Sequence, residues 1–266
     1  MPRALSLMGA LTVLGIAYAW PAGAQDMLQH VDLASPEMST AELTRAEVEA
    51  VIAAAPAGRP DFTGKKLSGL DLSGLDLSGA ILRAAKLNKT RLSNARLDRA
   101  VLDQAWLVEA DLGRASLTEA SLYATQMQRA RLDHADLAGA RITADLTGAS
   151  LVGASLAGAR LGADMRNQSM GLMRAVLRSC NLTRAVLRDA DLSRVDLEFA
   201  SLVDADLTNA SLRGAALGGA NLTGATIAGA DFDGADVASM RLKAPRGMDA
   251  ARNLDKVKNA DRLLRE

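Results

Sequence analysis

Side chains able to do chemistry are few in this chain, and they do not converge. The two histidines are His30 and His134, far apart in sequence, and His134 sits between Asp133 and Asp136 on a polar face that recurs at a fixed interval. A zinc site needs three or four ligands held together, so this pair does not suggest one. Serine and aspartate recur throughout, so a Ser, His and Asp found near one another carry no weight as a triad. The single cysteine, Cys180, excludes an internal disulfide and reads as a small buried side chain. Asn181-Leu182-Thr183 and Asn221-Leu222-Thr223 match a glycosylation acceptor, but they arise from the same recurrence. Glycine pairs such as Gly218-Gly219 suit corners, and no phosphate-binding loop is present. No catalytic residue, metal ligand or cofactor-binding residue is assigned, and no cofactor is implied. Recognition chemistry remains with Trp106, Tyr123 and Phe199, each flanking a recurrent large apolar residue at a position that the pattern turns outward. Trp106 and Tyr123 fall on neighbouring turns near one corner and can form a small apolar patch. Packing beneath an irregular stretch, or within a homodimer, accounts for them equally well.

What must position these residues is a five-residue unit. Ala80-Ile81-Leu82-Arg83-Ala84, Ala110-Asp111-Leu112-Gly113-Arg114 and Ala220-Asn221-Leu222-Thr223-Gly224 share one order: small, polar, large apolar, then two mostly polar or small residues. Large apolar centres fall every fifth position from Phe62 to Ile142, then at Leu146, Leu151, Leu156 and Leu161, then every fifth from Leu172 to Leu242. A helix advances about 100° per residue, so a five-residue spacing drifts around it, and a flat strand of period two sends every other centre to the wrong side. The chain must therefore turn once per repeat, with the centre and the small residue two before it inward and the other three positions in water.

The A(D/N)LXX pattern over about two thirds of the chain resembles the pentapeptide-repeat family. That resemblance implies an all-β solenoid, a right-handed quadrilateral β-helix in which each pentapeptide is one side and four make a coil. The number of centres gives about nine coils, and at roughly 4.8 Å per rung a rod about 43 Å long.

Net charge is zero, with 31 basic and 31 acidic residues, so nothing draws the chain to nucleic acid. Residues 1–24 read as a signal peptide: Arg3, an uncharged apolar run from Ala4 to Ala19, and Ala22-Gly23-Ala24 as a cleavage site before Gln25. The expected location is periplasmic or secreted, and with the leader cleaved no stable membrane span is expected; a retained anchor is the alternative, disfavoured by the short run and Pro21. Residues 25–58 are expected to hold a linker or loosely docked arm, over residues 26–39, and an N-terminal capping helix. Thr44 reads as N-cap, Glu47 as its capping-box partner, and Leu43 with Val48 as a hydrophobic staple, with Pro56 ending the helix. Residues 59–243 form the β-helix, with Leu70 and Leu75 widening its first coil. Residues 244–266 are expected to form a C-terminal capping helix from the spacing of Leu254, Val257, Asp261 and Leu264, with a final irregular coil as the alternative.

One fault interrupts the rod. Ile142 to Leu146 is a step of four and Leu161 to Leu172 a step of eleven, read as one residue lost and later regained around Met165–Met170. Residues 20 apart should stack on adjacent coils, so Asp71, Arg91, Asp111 and Arg131 alternate in sign up one row. Arg99 with Glu119, Glu109 with Arg129, Arg178 with Glu198, and Arg184 with Asp204 pair likewise.

Three function classes follow. The first is an exported, non-enzymatic scaffold for an unidentified protein or envelope component. The second comes from the resemblance alone: the family's quinolone-resistance members imitate duplex DNA and bind gyrase. This chain departs from them in its leader and in alternating rows, where a mimic of DNA needs one sign. An enzyme is the third, and no constellation supports it.

Overall fold

The computed structural model describes residue 28 and residues 31–55, 58–163 and 173–265. The expected leader, His30, Pro56, Met165–Met170 and Leu172 lie outside them.

One side of the solenoid shows why the repeat has five residues. Leu72 N–H donates to Arg91 C=O on the next coil (2.7 Å), Gly74 N–H to Ser93 C=O (3.0 Å), and Arg91 N–H back to Leu70 C=O (2.8 Å). Leu75 N–H closes the turn on Leu72 C=O (3.3 Å). The donor left over belongs to Ser73, and the Asp71 carboxylate accepts it at 3.1 Å. Asp61, Asp111, Asp136, Asn181, Asn221 and Asp236 do the same for the N–H two residues on. The Asp or Asn of the motif thus completes the hydrogen bonding of its own side, a role that surface polarity alone does not reveal.

Parallel bridges stack the sides into four ladders. One runs Asp61, Ile81, Val101, Ser121, Arg141, Arg160, Asp191, Ser211, Asp231, Arg252; the others start at Lys66, Asp71 and Asp76. Their axis is filled by the centres and their Ala partners, nearly all below 2 % exposed, in one continuous cluster from Val48 to Leu242, with Leu70 and Leu75 packed against it. Where Ala is replaced, the new polar atom finds a fixed acceptor. Thr90 Oγ1 donates to Leu67 C=O, Thr125 Oγ1 to Leu102 C=O and Cys180 Sγ to Leu146 C=O, each at 2.9 Å. Burial pushes the Cys180 thiol up to about 12, consistent with an inert core residue.

On regular sides the corner residue two after the centre is left-handed whether or not it is glycine: Ala84 has φ 53°, Arg99 57°, Phe199 59° and Asn209 59°. A non-glycine residue there is unfavourable by about 1–2 kcal/mol, which the inter-coil bonds offset.

The fault differs from its reading. The strands β1 (Ser121–Gln126) and β2 (Arg141–Asp145) pair in parallel with a register shift between Tyr123 and Gln126, where the upper coil has one residue fewer. That residue is not regained. Ala175 N–H closes its turn on Leu161 C=O (3.2 Å), and Arg160 bridges Asp191, 31 positions on, where the regular step is 20. Leu161 and Leu177 are therefore the centres of consecutive sides, and eleven residues are inserted at one corner without interrupting the ladders.

Of the linker or loosely docked arm expected over residues 26–39, the docked arm is what the described residues form: α1 (Pro36–Ser39) buries Met38. The helix α2 (Arg45–Ala54) has Thr44 as N-cap with the full capping box, and buries Val48. Glu42 N–H donates to Lys66 C=O at 2.8 Å, and the Arg45 guanidinium to Asp71 and Ser73 C=O at 3.0 and 3.2 Å. These are carbonyls of the first coil that no preceding coil can reach. The C-terminal capping helix is incorrect. Residues 248–262 form three 3₁₀ turns, Met248–Ala250, Leu254–Lys256 and Ala260–Arg262, each entered through a left-handed Gly247, Asn253 or Asn259. Arg246, Arg252, Lys258 and Leu264 bridge Thr226, Asp231, Asp236 and Arg241, so the last coil steps in sixes and the irregular-coil alternative holds.

Candidate interaction surface

Each ladder is a face, and the three aromatic candidates fall on different parts of the rod. Tyr123 lies just after centre Leu122 on the face that starts at Asp61, held in β1, and is 39 % exposed. Its N–H donates to Asp103 Oδ1 on the coil below (3.2 Å), and its C=O accepts from Gln104 N–H (2.7 Å). Trp106 begins the next face, between Lys86 and Gln126, and is only partly exposed. The two therefore flank one corner on adjacent coils. Phe199, 62 % exposed, stands at another corner four rungs above Trp106, about 19 Å along the axis, so it does not share their patch. Its ring lies instead against Gly219 on the coil above, where an added Cβ would fall 2.6 Å from Phe199 Cδ1.

The face carrying Trp106 is unusually closed. Asn88, Val108, Gln126 and Gln128 are buried, and α1 lies along its lower rungs: Asn88 Nδ2 donates to Met38 C=O (3.0 Å), while Glu37 pairs with Lys66 and Lys86. Beyond α1, Gln128 Nε2 bridges Gln126 Oε1 (2.9 Å) and Asp145 Oδ2 (2.8 Å). Neither this network nor the docked arm was legible from the repeat, because both use positions that are solvated on other coils.

Charge pairing also differs in geometry. Asp71–Arg91 (3.1 Å), Glu109–Arg129 (2.7 Å) and Arg178–Glu198 (2.8 Å) form as stacked pairs. Arg91–Asp111, Asp111–Arg131, Arg99–Glu119 and Arg184–Asp204 are not among the ion pairs of the described residues; Asp204 instead meets Arg246 at 3.4 Å. Diagonal contacts 18 residues apart add to these: Arg178–Asp196 (3.0 Å), Arg213–Asp231 (3.3 Å) and the Ser116 hydroxyl with Asp98. They join the residue after one centre to the residue before a centre on the coil above, an offset that counting in twenties misses. The hydroxyls of Thr63 and Ser73 hold the Asp61 and Asp71 carboxyls below the usual carboxylate range. The Arg129 guanidinium does the same for Glu109.

An open groove of about 470 Å³ runs beside His134, lined by Asp111, Gly113, Arg114, Arg131 and Asp133. Its mixed charges carry no ordered catalytic arrangement. Among the described residues no cluster of His, Cys, Asp or Glu could hold a metal ion, and no helix is long and apolar enough to cross a membrane.

Four parallel ladders around a Leu and Ala axis define the class: a β-solenoid with one pentapeptide per side. The chain belongs to the pentapeptide-repeat family, whose model matches residues 61–99, 95–133, 125–167, 172–209 and 200–237 in eight copies; that family folds as a right-handed quadrilateral β-helix. Among solved structures, HetL of the cyanobacterium Nostoc, a pentapeptide-repeat protein involved in heterocyst differentiation regulation, is 29 % identical. That match covers 83 % of this chain and 99 % of HetL, with a TM-score of 0.40. QnrB1, a plasmid-mediated fluoroquinolone resistance protein, is 16 % identical over 74 % of this chain and 90 % of its own, with a TM-score of 0.39. A pentapeptide-repeat protein of the Arabidopsis thaliana thylakoid lumen is 28 % identical over 41 % of this chain and 69 % of its own, with a TM-score of 0.21. No curated protein matches the chain.

Proposed function

We propose that the protein is an exported, non-enzymatic scaffold: a rod of about nine coils, capped at its N-terminal end by α2, that presents a side face to a protein or envelope component. The observation that carries this reading is the corner that Tyr123 and Trp106 flank on adjacent coils, two aromatic side chains on an otherwise salt-laced surface, since aromatic side chains are favoured anchors in protein interfaces. Export rests on the order of Arg3, the apolar run and Ala22-Gly23-Ala24. The test is a fractionation followed by capture of partners from the periplasm, with wild type and the double variant Trp106→Ala, Tyr123→Ala compared. Mature protein beginning near Gln25 outside the cytoplasm, with a partner lost by the double variant, supports the proposal. Full-length protein in the cytosol with Met1 intact overturns export.

The gyrase-binding alternative requires one sign of charge along a face. Here opposite charges meet between coils, as in Asp71–Arg91, Arg96–Asp76 and Glu109–Arg129, so a face's field decays within about one Debye length, roughly 8 Å at physiological salt. The expected outcome is no inhibition of gyrase supercoiling and no shift of duplex DNA; inhibition at micromolar protein, abolished by reversing acidic residues on one face, moves the function to topoisomerase control.

A further inference from the structure

The neutral total conceals a separation of charge along the rod. Residues 25–240 hold 22 basic against 27 acidic residues, whereas residues 241–266 hold eight against four. All eight of these basic side chains are exposed. Among the described residues one of the eight, Arg246, is in an ion pair, with Asp204 at 3.4 Å. The coil below does not neutralise the rest. Its Asp231 and Asp236 accept from the side-chain amides of Asn253 and Asn259 at 2.7 Å, and its Asp233 is taken by Arg213. Arg246, Arg252 and Lys258 are rungs on three of the ladders, and Arg241 is a rung on the fourth, so the cations ring the last described coils rather than line one face.

What stands among the cations narrows what this end can meet. Met248 and Leu264 are 37 % and 45 % exposed, and Leu264 is the rung directly above Arg241. The N–H groups of Gly247, Asn253 and Asn259, which on a regular side reach the next coil as that of Leu72 does, find no backbone acceptor among the described residues. They add donors for anionic oxygens. A nucleic acid is held by a row or groove of cations and, when single-stranded, by aromatic side chains that stack its bases. Residues 241–265 contain no aromatic residue, and an exposed Leu or Met gains nothing against phosphates. A lipid interface uses every part of the arrangement: headgroups for cations spread around a blunt end, and the acyl boundary for apolar side chains between them.

We propose that this end of the rod docks on an anionic phospholipid surface, with the cations against the headgroups and Met248 and Leu264 at the acyl boundary. The rod then stands on the bilayer, and the Trp106 corner is held seven rungs from Lys258, roughly 34 Å away from the lipid. The contact itself depends neither on export nor on that corner.

The experiment is cosedimentation with vesicles of phosphatidylcholine alone and of phosphatidylcholine with about one third phosphatidylglycerol. The full chain and the chain starting at Gln25 are both used, so that binding by the apolar run before Ala22 is read separately. Anionic vesicles are expected to bind at least tenfold more strongly than neutral ones at low ionic strength, and the preference fades as salt shortens the Debye length from about 30 Å toward 3 Å. Each cation near an anionic leaflet strengthens partitioning about fivefold, so Lys256→Gln with Lys258→Gln weakens it roughly tenfold or more. Leu264→Ser lowers binding without changing its dependence on salt. Arg114→Gln with Arg184→Gln, the same loss of charge in the middle of the rod, leaves binding unchanged. All variants are compared at unchanged circular dichroism. No preference for anionic vesicles at low salt overturns the proposal. So does an equal loss from the two pairs of substitutions, and so does duplex DNA bound as tightly as the anionic vesicles at the same salt.

Discussion

The two ends of the rod meet the same physical problem and answer it differently. Any solenoid must stop, and its terminal coils leave backbone groups without partners. At the N-terminal end the chain brings in a separate element: α2 buries Val48 on the open axis, and Glu42 and Arg45 satisfy the carbonyls of Lys66, Asp71 and Ser73. At the C-terminal end nothing among the described residues is laid across the opening. The coil itself changes, stepping in sixes, with Ala251, Leu254, Val257 and Leu263 only partly buried against the core. The difference teaches that a lid concentrates stability in a few contacts, whereas a widening coil spreads it thinly.

The largest effect that can break this comparison is a charge placed under each end. Val48→Asp puts an unpartnered carboxylate in the sealed axis and is expected to lower stability by several kcal/mol, about as much as Leu192→Asp in the middle of the rod. Val257→Asp, at a site that water already reaches, is expected to stay within about 1 kcal/mol. Equal losses in denaturant melts would show that the ends are not different in kind.

Glycine corners sharpen the contrast in the opposite sense. A Cβ on a left-handed corner points to the coil below, which the first coil lacks. Gly74 (φ +72°) has nothing within 4 Å of an added Cβ, whereas at Gly247 (φ +71°) that atom would fall 2.6 Å from Ala228 Cβ and 3.0 Å from its backbone. Gly74→Ala is expected to lose about 1 kcal/mol from backbone strain alone, and Gly247→Ala roughly twice that, by the same melts. Next in size, Arg45→Met retains the stem but leaves two edge carbonyls unpaired, for a loss of about 1–2 kcal/mol. Thr44→Ala, removing one half of the capping box, is expected to lose about 1 kcal/mol.

The smallest effect is acid sensitivity. Asp61 and Asp71, in the first coil, have carboxyls held low by the Thr63 and Ser73 hydroxyls and N–H groups. A depressed folded-state value means stabilisation present above the ordinary carboxylate range, about 4, and lost as pH falls through the lowered value. The apparent melting temperature should therefore be flat from neutrality to about pH 5 and decline below about pH 4. Asn substitution at both positions, which keeps an acceptor without a charge, should blunt the decline.

The period made the axis legible, because no other local conformation keeps Leu and Ala inward at a spacing of five. The capping box made α2 legible for a similar reason: Thr44 and Glu47 act within one turn of chain. Three features were hidden. At the C-terminal end, steps of six coincide with two steps of three, so Leu254, Val257 and Leu264 imitate a helix. Leu172 matched the five-residue count, although Ala175 closes the side that Leu161 begins. Left-handed corners at Arg99, Glu109 and Phe199 carry no compositional sign, because the ladders impose that conformation on residues that do not favour it. For the candidate surface, the sequence placed Trp106 and Tyr123 at one corner correctly but could not show that α1 climbs the face beside them.

The sixfold stepping of the last coil has a further consequence, best put in the language of crystal growth. Offsets between its rungs and those below increase from Thr226–Arg246 through Asp231–Arg252 and Asp236–Lys258 to Arg241–Leu264, so each side is displaced one residue more than the last. To any chain repeating in fives this is a mismatched terrace. One side can align, the following three cannot, and strand-by-strand accretion of like segments finds no epitaxial template. The last described coil thus offers no seed for cross-β deposition by segments that repeat in fives.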